Sequence, residues 1–349
     1  MIRTRIAACA FAFALAACGG FGGDREPPDT PITGVNYVSI VVNDLDRSEA
    51  LLYQATNLTP VEGPRRLAGP HWDDLVGREG VEARTTLLRG ANAQVQLIEF
   101  DERSAAAEAT PPMGVQGPGI AHLCIQALKE TETYQTFLRG GAAVIGDPDM
   151  VQLNPRNPVE YAYVRSPDGV VFEIEHVDVS QLDLDEPPKN THRIRHVALA
   201  TPDLDRAVAF YSILFDEPNP RYIGRLGGFS GENIDKVSGL EGSKIKMAWF
   251  QARNLELEIS QYVSHPTEVP HDPRPLDALG LGMIVYDVNS VEAARERLIE
   301  AGARSVTEII SADGGQIVFA RDPDGNLLGF QKVPSTSVFS SQHFADNGI

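Results

Sequence analysis

Apolar and polar residues alternate over residues 34–42, the two-residue period of a strand with one buried face. Asp44 then stands where a helix cap is expected, and the apolar spacing over 45–56 predicts a helix. After an irregular stretch, 83–89 and 93–100 read as a hairpin turning at Gly90-Ala91-Asn92. The order restarts with a strand at 120–126, a helix at 131–140 and strands at 161–165 and 170–176. It restarts again with strand 195–200, helix 204–215 and a hairpin of 246–251 with 255–262. A last round has strand 281–288, helix 291–301 and strands 316–321 and 327–332. Four β-α-β-β-β units follow, spanning 34–101, 118–180, 193–264 and 278–333.

Two phrases recur at nearly one spacing. Asp44-Leu45-Asp46-Arg47 returns 159 positions later as Asp203-Leu204-Asp205-Arg206, and Ser166-Pro167-Asp168-Gly169 returns after 156 as Asp322-Pro323-Asp324-Gly325. A fixed period of this length marks a duplication of a two-unit domain. The expected domains are 34–180 and 193–333, joined by an acidic linker at 181–192 and followed by a tail at 334–349. Both phrases sit at helix starts or turns and read as scaffold, since Asp-Gly pairs form turns and carry no chemistry themselves.

The net charge of −18 argues against nucleic acid as a partner, which needs a basic face to neutralise phosphates. A small molecule is the expected partner, and the chain is compatible with a monomer. No apolar run beyond the first twenty residues is long enough to span a bilayer. Those first residues read as a targeting signal, with Arg3 and Arg5 ahead of a short apolar stretch at 6–17. Leu15-Ala16-Ala17-Cys18 resembles the lipobox of bacterial lipoproteins. That resemblance implies removal of residues 1–17, lipidation of Cys18, and a place in the cell envelope on the periplasmic side. Membrane contact would then be through the anchor only, with the Gly- and Pro-rich segment 18–33 as a flexible tether. Cys124 is the one cysteine beyond the anchor, so no disulfide is expected within the folded part.

Arg195-His196-Val197-Ala198-Leu199, the run Asp203 to Tyr211, and Ser166-Pro167-Asp168-Gly169-Val170-Val171-Phe172-Glu173-Ile174 carry a family resemblance. The chain resembles the vicinal oxygen chelate superfamily of glyoxalases, bleomycin resistance proteins and extradiol dioxygenases. The resemblance implies an α+β fold of four βαβββ units forming two open eight-stranded barrels. It also implies a divalent metal (Zn, Ni, Fe or Mn), with ligands from the first and last strand of each unit. Carried over residue by residue, the first-strand positions hold Tyr37, His122, His196 and Gly282. The last-strand positions hold Gln96, Glu173, Glu258 and Gly329. Units two and three thus each carry one His and one Glu.

Two pairings of units are known in the superfamily. Consecutive pairing would set His196 and Glu258 against two glycines, and leave Tyr37, Gln96, His122 and Glu173 in the other barrel. Crossed pairing, second with third and first with fourth, assembles His122, Glu173, His196 and Glu258 into one site and leaves one barrel empty. Crossed pairing is the expectation, because it accounts for all four retained ligands and both glycines together. Unpaired carboxylates in otherwise apolar strands would be costly, a cost that a metal, an arginine or exposure to water relieves.

On a strand, positions i and i+2 share a face, which sets Glu175 beside Glu173, Glu256 beside Glu258 and Cys124 beside His122. Glu175 and Glu256 are expected either to orient the imidazoles or to line a solvated cup. Cys124 reads as a small buried filler and Phe210 and Tyr211 as packing residues. The expected activity is that of a metal-dependent glyoxalase-like isomerase, epimerase or lyase acting on a small molecule with vicinal oxygens. Glu173 or Glu258 would be the general base, Glu173 first. The alternatives are Fe(II) extradiol ring cleavage and non-catalytic binding of a small molecule.

Overall fold

The structure, a computed structural model, describes residues 29–184, 186–312 and 314–344. The expected signal segment 1–17, Cys18 and the tether up to residue 28 lie outside the described residues. All four expected units form. Their first strands are Ile32–Val41, Gly119–Leu128, His192–Ala200 and Gly280–Val288. Their last strands are Gln94–Phe100, Val171–Val177, Glu256–Tyr262 and Leu327–Lys332.

Between first and later strands run the helices Leu45–Thr56, Thr133–Arg139, Leu204–Phe215 and Val291–Ala301. Three of them start where a short polar side chain takes up an orphan amide: Asp44 accepts from Arg47 N, Asp203 from Arg206 N, and Ser290 from Ala293 N. The connecting stretches, which show no clear period, contain further elements. These include the strand Thr59–Ala68 and the short helices Pro70–Val76 and Glu232–Ser238.

Two sheets of nine and ten strands form, and each has eight strands in its main order. In both, every first strand runs parallel to the last strand of its own unit. Within each sheet the two units meet at the middle through an antiparallel pair of first strands. Gly119–Leu128 pairs with His192–Ala200, and Ile32–Val41 pairs with Gly280–Val288. Units two and three therefore share one sheet, and units one and four share the other: the pairing is crossed. Each sheet takes one unit from 34–180 and one from 193–333, so the duplicated halves of the chain are not the two sheets. A duplication shows which segments are copies, but not which strand edges join.

The largest apolar cluster lies between the sheets. It gathers Leu45 and Leu52, Tyr134 and Phe137, Phe210 and Leu214, and Val291 and Leu298 from the four helices. Alternate strand residues such as Leu123, Ile174, Val197 and Leu257 pack against them. The period of two then sends His122, Glu173, His196 and Glu258 to the opposite, concave face.

Both ends of the described chain are tied down. Residues 29–33 are not tether: Thr30 Oγ1 donates to Leu214 O at 2.6 Å, and Ile32 already belongs to the first strand. The tail also folds back, with Ser341 N donating to Asp287 Oδ2 at 2.6 Å and the Phe339 ring centred 6.3 Å from that of Tyr37.

A candidate metal centre in one of two cups

Crossed pairing brings the four expected donors to one point. His122 Nε2 lies 3.1 Å from His196 Nε2 and 3.7 Å from Glu173 Oε2. His196 Nε2 is 3.0 Å from Glu173 Oε2 and 3.6 Å from Glu258 Oε2. Donors about 2.1 Å from a metal stand about 3.0 Å apart in cis octahedral positions and about 3.4 Å apart in a tetrahedron. Two of the four separations, 3.0 and 3.1 Å, fall in this range, and the other two, 3.6 and 3.7 Å, exceed it by a few tenths of an ångström. Two sets of possible ligand atoms each lie within 4.8 Å of one another: His122, His196 and Glu258, and Cys124, Glu173 and His196.

All four side chains are buried, between 2% and 8% exposed. Burial drives the His122 imidazole down to about 4, against the pull of Glu173, so it is neutral at neutral pH. Burial works against ionisation of Glu173 too, but His196 hydrogen-bonded to it and His122 nearby hold it down at about 2. His196 is raised, because Glu258 and Glu173 outweigh the effect of burial. Glu258 is raised by burial, with Glu173 adding to the effect. The Nδ1 atoms of both imidazoles are buried without a hydrogen-bond partner. Two imidazoles and two carboxylates thus crowd one buried place, an arrangement that a cation relieves.

Arg195, Arg221 and Trp249 complete the site and were not singled out from the sequence. A register shift between Ile194 and His196 breaks the strand's alternation, so Arg195 and His196 both face the cavity. Arg195 donates to Glu175 and lies 3.6 Å from Glu256; Arg221 donates to Glu256 at 3.0 Å. Glu175 also accepts from Gln126 Nε2 at 2.5 Å. Glu175 and Glu256 are therefore on the expected face, but they neither orient the imidazoles nor line a merely solvated cup. They pair with the largely buried Arg195 and the part-exposed Arg221 guanidiniums. Trp249 Nε1 donates to Glu258 Oε2 at 3.0 Å, and the Arg221 guanidinium stacks on the Trp249 ring at 4.4 Å.

These groups open on a cavity of about 430 Å³ with an apolar wall of Tyr161, Ile223, Phe229, Met247 and Trp249. Four carboxylates (Glu173, Glu175, Glu256, Glu258) face two guanidiniums (Arg195, Arg221).

The cup of units one and four is different. Its counterpart of His196 is Tyr37, and of Glu258 is Gln96, as expected. Its counterpart of His122 is Met283 rather than the expected Gly282. Gly280 opposes Val41 as Gly119 opposes Ala200, and counting from those glycines places Met283 level with His122. Gly329 does match Glu173, since it lies level with Val285 as Glu173 lies level with Cys124. A Cβ on Gly329 would come within 3.1 Å of Val285 Cγ2 and 3.3 Å of Ile317 Cδ1 and Phe319 Cε1. The space that a glutamate would occupy is filled. Tyr37, Trp72, Met283, Phe319 and Phe339 belong to a single apolar cluster there, so this cup is a core.

Comparison with known proteins agrees with the geometry. Residues 193–330 match the family model described as the Glyoxalase/Bleomycin resistance protein/Dioxygenase superfamily. An ethylmalonyl-CoA/methylmalonyl-CoA epimerase of Cereibacter sphaeroides is 28% identical over 146 residues, 40% of this chain and 98% of that protein. Glyoxalase I from Zea mays has a similar fold, with a TM-score of 0.54 at 17% identity over 86% of this chain and 92% of that one. A candidate dioxygenase from Bacillus subtilis superposes with a TM-score of 0.56 at 10% identity, covering 87% of this chain and 86% of that one. The family model thus covers residues 193–330, and the solved structures share their fold with most of the chain.

Proposed function

We propose that the protein is a metal-dependent isomerase, epimerase or lyase acting on a small molecule with two adjacent oxygens. The observation that carries this reading is the convergence of His122, Glu173, His196 and Glu258 on one buried point at the floor of a cavity. A bound divalent ion would supply Lewis acidity, lowering the cost of the negative charge left when a proton is removed beside a carbonyl.

The chain's own residues do the rest. Glu173 and Glu258 both line the cavity, from matching positions on the last strands of two related units. One carboxylate can take a proton from one side of the substrate while the other returns it from the opposite side. Glu173 is assigned the abstraction, and Glu258 is steadied by its hydrogen bond from Trp249. Tyr161, Phe229 and Met247 keep the reacting carbon away from bulk water. Each guanidinium in the wall is already paired with Glu175 or Glu256, which favours a substrate body without a strongly anionic group.

Metal analysis of the full chain tests the reading. About one tightly held divalent ion per chain is expected, lost in Glu173→Ala and in Glu258→Ala and kept in Gln96→Ala. Full metal content in Glu258→Ala would remove the four-donor site. Solvent deuterium exchange into α-hydroxy ketones, lost in Glu173→Gln, would identify the base.

A second reading has its own support. His122, His196 and Glu258 form a two-histidine, one-carboxylate set, the donor type that suits Fe(II) and oxygen. Oxygen uptake with catechols by iron-loaded protein would favour ring cleavage instead. We further propose that the protein is anchored in the cell envelope through Cys18, a reading supported by the Leu15-Ala16-Ala17-Cys18 motif. Cys18→Ala should then move it from the membrane fraction to the soluble one.

A further inference from the structure

Cys124 lies two residues beyond His122 on the same strand and faces the same cup. In the parallel register it stands level with Glu173. Its sulfur, a Glu173 oxygen and a His196 nitrogen all lie within 4.8 Å of one another, so it forms a second donor set sharing His196 with the first. The side chain is fully buried, and its surroundings are polar, with Glu173, Glu175 and Arg195 nearby. Hydrophobic packing alone does not call for sulfur at such a place.

The other cup supplies an internal comparison. The residue level with Gly329 there, as Cys124 is with Glu173, is Val285. Valine and cysteine are close in size, so the duplicated frame accepts a plain apolar residue at this position. The cup that lacks the histidines and glutamates also lacks the thiol, and the cup that keeps them keeps it.

We propose that Cys124 joins His196 and Glu173 as a donor to the metal held at this centre, and that it makes the site prefer a thiophilic ion such as Zn²⁺ or Co²⁺ over Mn²⁺. The proposal rests on the metal-centre reading given above. Thiolate sulfur is a soft donor that discriminates among divalent ions where imidazole and carboxylate discriminate little. It binds at about 2.3 Å, slightly farther out than nitrogen or oxygen, which suits a donor at the edge of the cluster. As the metal–sulfur bond forms, the S–H bond breaks and its proton leaves to water in the cavity. No electron is transferred.

The test is the absorption spectrum of the full chain loaded with Co²⁺, compared with Cys124→Val and Cys124→Ser. Visible ligand-field bands report cobalt in the site, and a near-ultraviolet charge-transfer band reports sulfur bound to it. The parent is expected to show both. Cys124→Val is expected to keep the visible bands, lose the near-ultraviolet band, and bind Zn²⁺ over Mn²⁺ with a preference about tenfold smaller. Visible bands with no sulfur band in the parent would overturn the thiolate donor and leave the four-donor site standing. No visible bands in the parent would overturn both. The parent spectrum decides even if a variant fails to fold.

Discussion

Arg47 and Asp168, 121 positions apart, form an ion pair at 3.1 Å, and Arg206 and Asp324 repeat it in the second half of the chain. The two recurring phrases of the sequence are therefore partners. Each helix-start phrase of one unit grips the turn phrase of the next, and in doing so clamps one sheet to the other.

The partners contribute unequally to that clamp. Asp168 is buried and also accepts from Asn43 N at 2.9 Å and Ser48 Oγ at 2.7 Å, whereas the Arg47 side chain is 47% exposed. Asp168→Ala should cost about 3 kcal/mol, since it strands the buried Ser48 hydroxyl and the part-buried Asn43 amide and Arg47 guanidinium. Arg47→Ala should cost less than about 1 kcal/mol, as for an ordinary exposed ion pair. Urea unfolding of the two variants checks this, and equal losses would show that the ion pair, not the buried hydrogen bonds, is the clamp.

The two cups should respond in opposite ways to truncation. Met283 is fully buried in the apolar cup, so Met283→Ala should destabilise by about 2–5 kcal/mol without changing metal content. His122→Ala, at the matching position of the other cup, should remove metal binding. Thermal unfolding alongside metal analysis separates the two roles, and metal loss in Met283→Ala would contradict them.

Trp249 would act on a metal held at the proposed centre through its hydrogen bond to Glu258. Trp249→Phe keeps the ring and deletes the 3.0 Å hydrogen bond. Metal affinity is expected to fall roughly 10–100-fold, the usual effect of losing a group that orients a ligand. Unchanged affinity in a competition with a chelator would show that Glu258 needs no such support.

Acid should weaken the fold through His176. This imidazole is buried, its Nε2 has no hydrogen-bond partner, and burial lowers its pKa below the ordinary histidine value. A depressed folded-state value means that the unfolded chain binds the proton more readily. The stability held above about pH 6.5 is then lost as pH falls toward the folded-state value. His176→Gln should show a shallower loss of unfolding free energy than the parent between about pH 7 and about pH 5. A parallel loss in both would place the acid sensitivity elsewhere.

The units, and the side chains His122, Glu173, His196 and Glu258 that share one cup, are legible because their signals are local. The period of two sorts Glu173 from Phe172 and Ile174, and the repeated phrases mark helix starts in units one and three and the turns before the last strands of units two and four. Register was less legible. Met283 was missed for Gly282 because a one-residue error in aligning two divergent strands changes which side chain enters the cup. The partners of Glu175 and Glu256 were hidden for a different reason. Arg195 faces the cavity only because the strand is irregular between Ile194 and His196, and an alternation rule cannot foresee that.

Crossed pairing also sets an order of events as the chain is made. The strands of units two and three, from Gly119 to Tyr262, are contiguous along the chain, so that sheet is complete before unit four exists. Unit one cannot finish its sheet until Gly280–Val288 emerges to pair with Ile32–Val41. A newly made chain therefore carries its earliest strand with an open edge throughout most of synthesis, a hazard for pairing with other chains. The donor-bearing sheet is nested inside the molecule's own sequence, and the apolar sheet closes around it last.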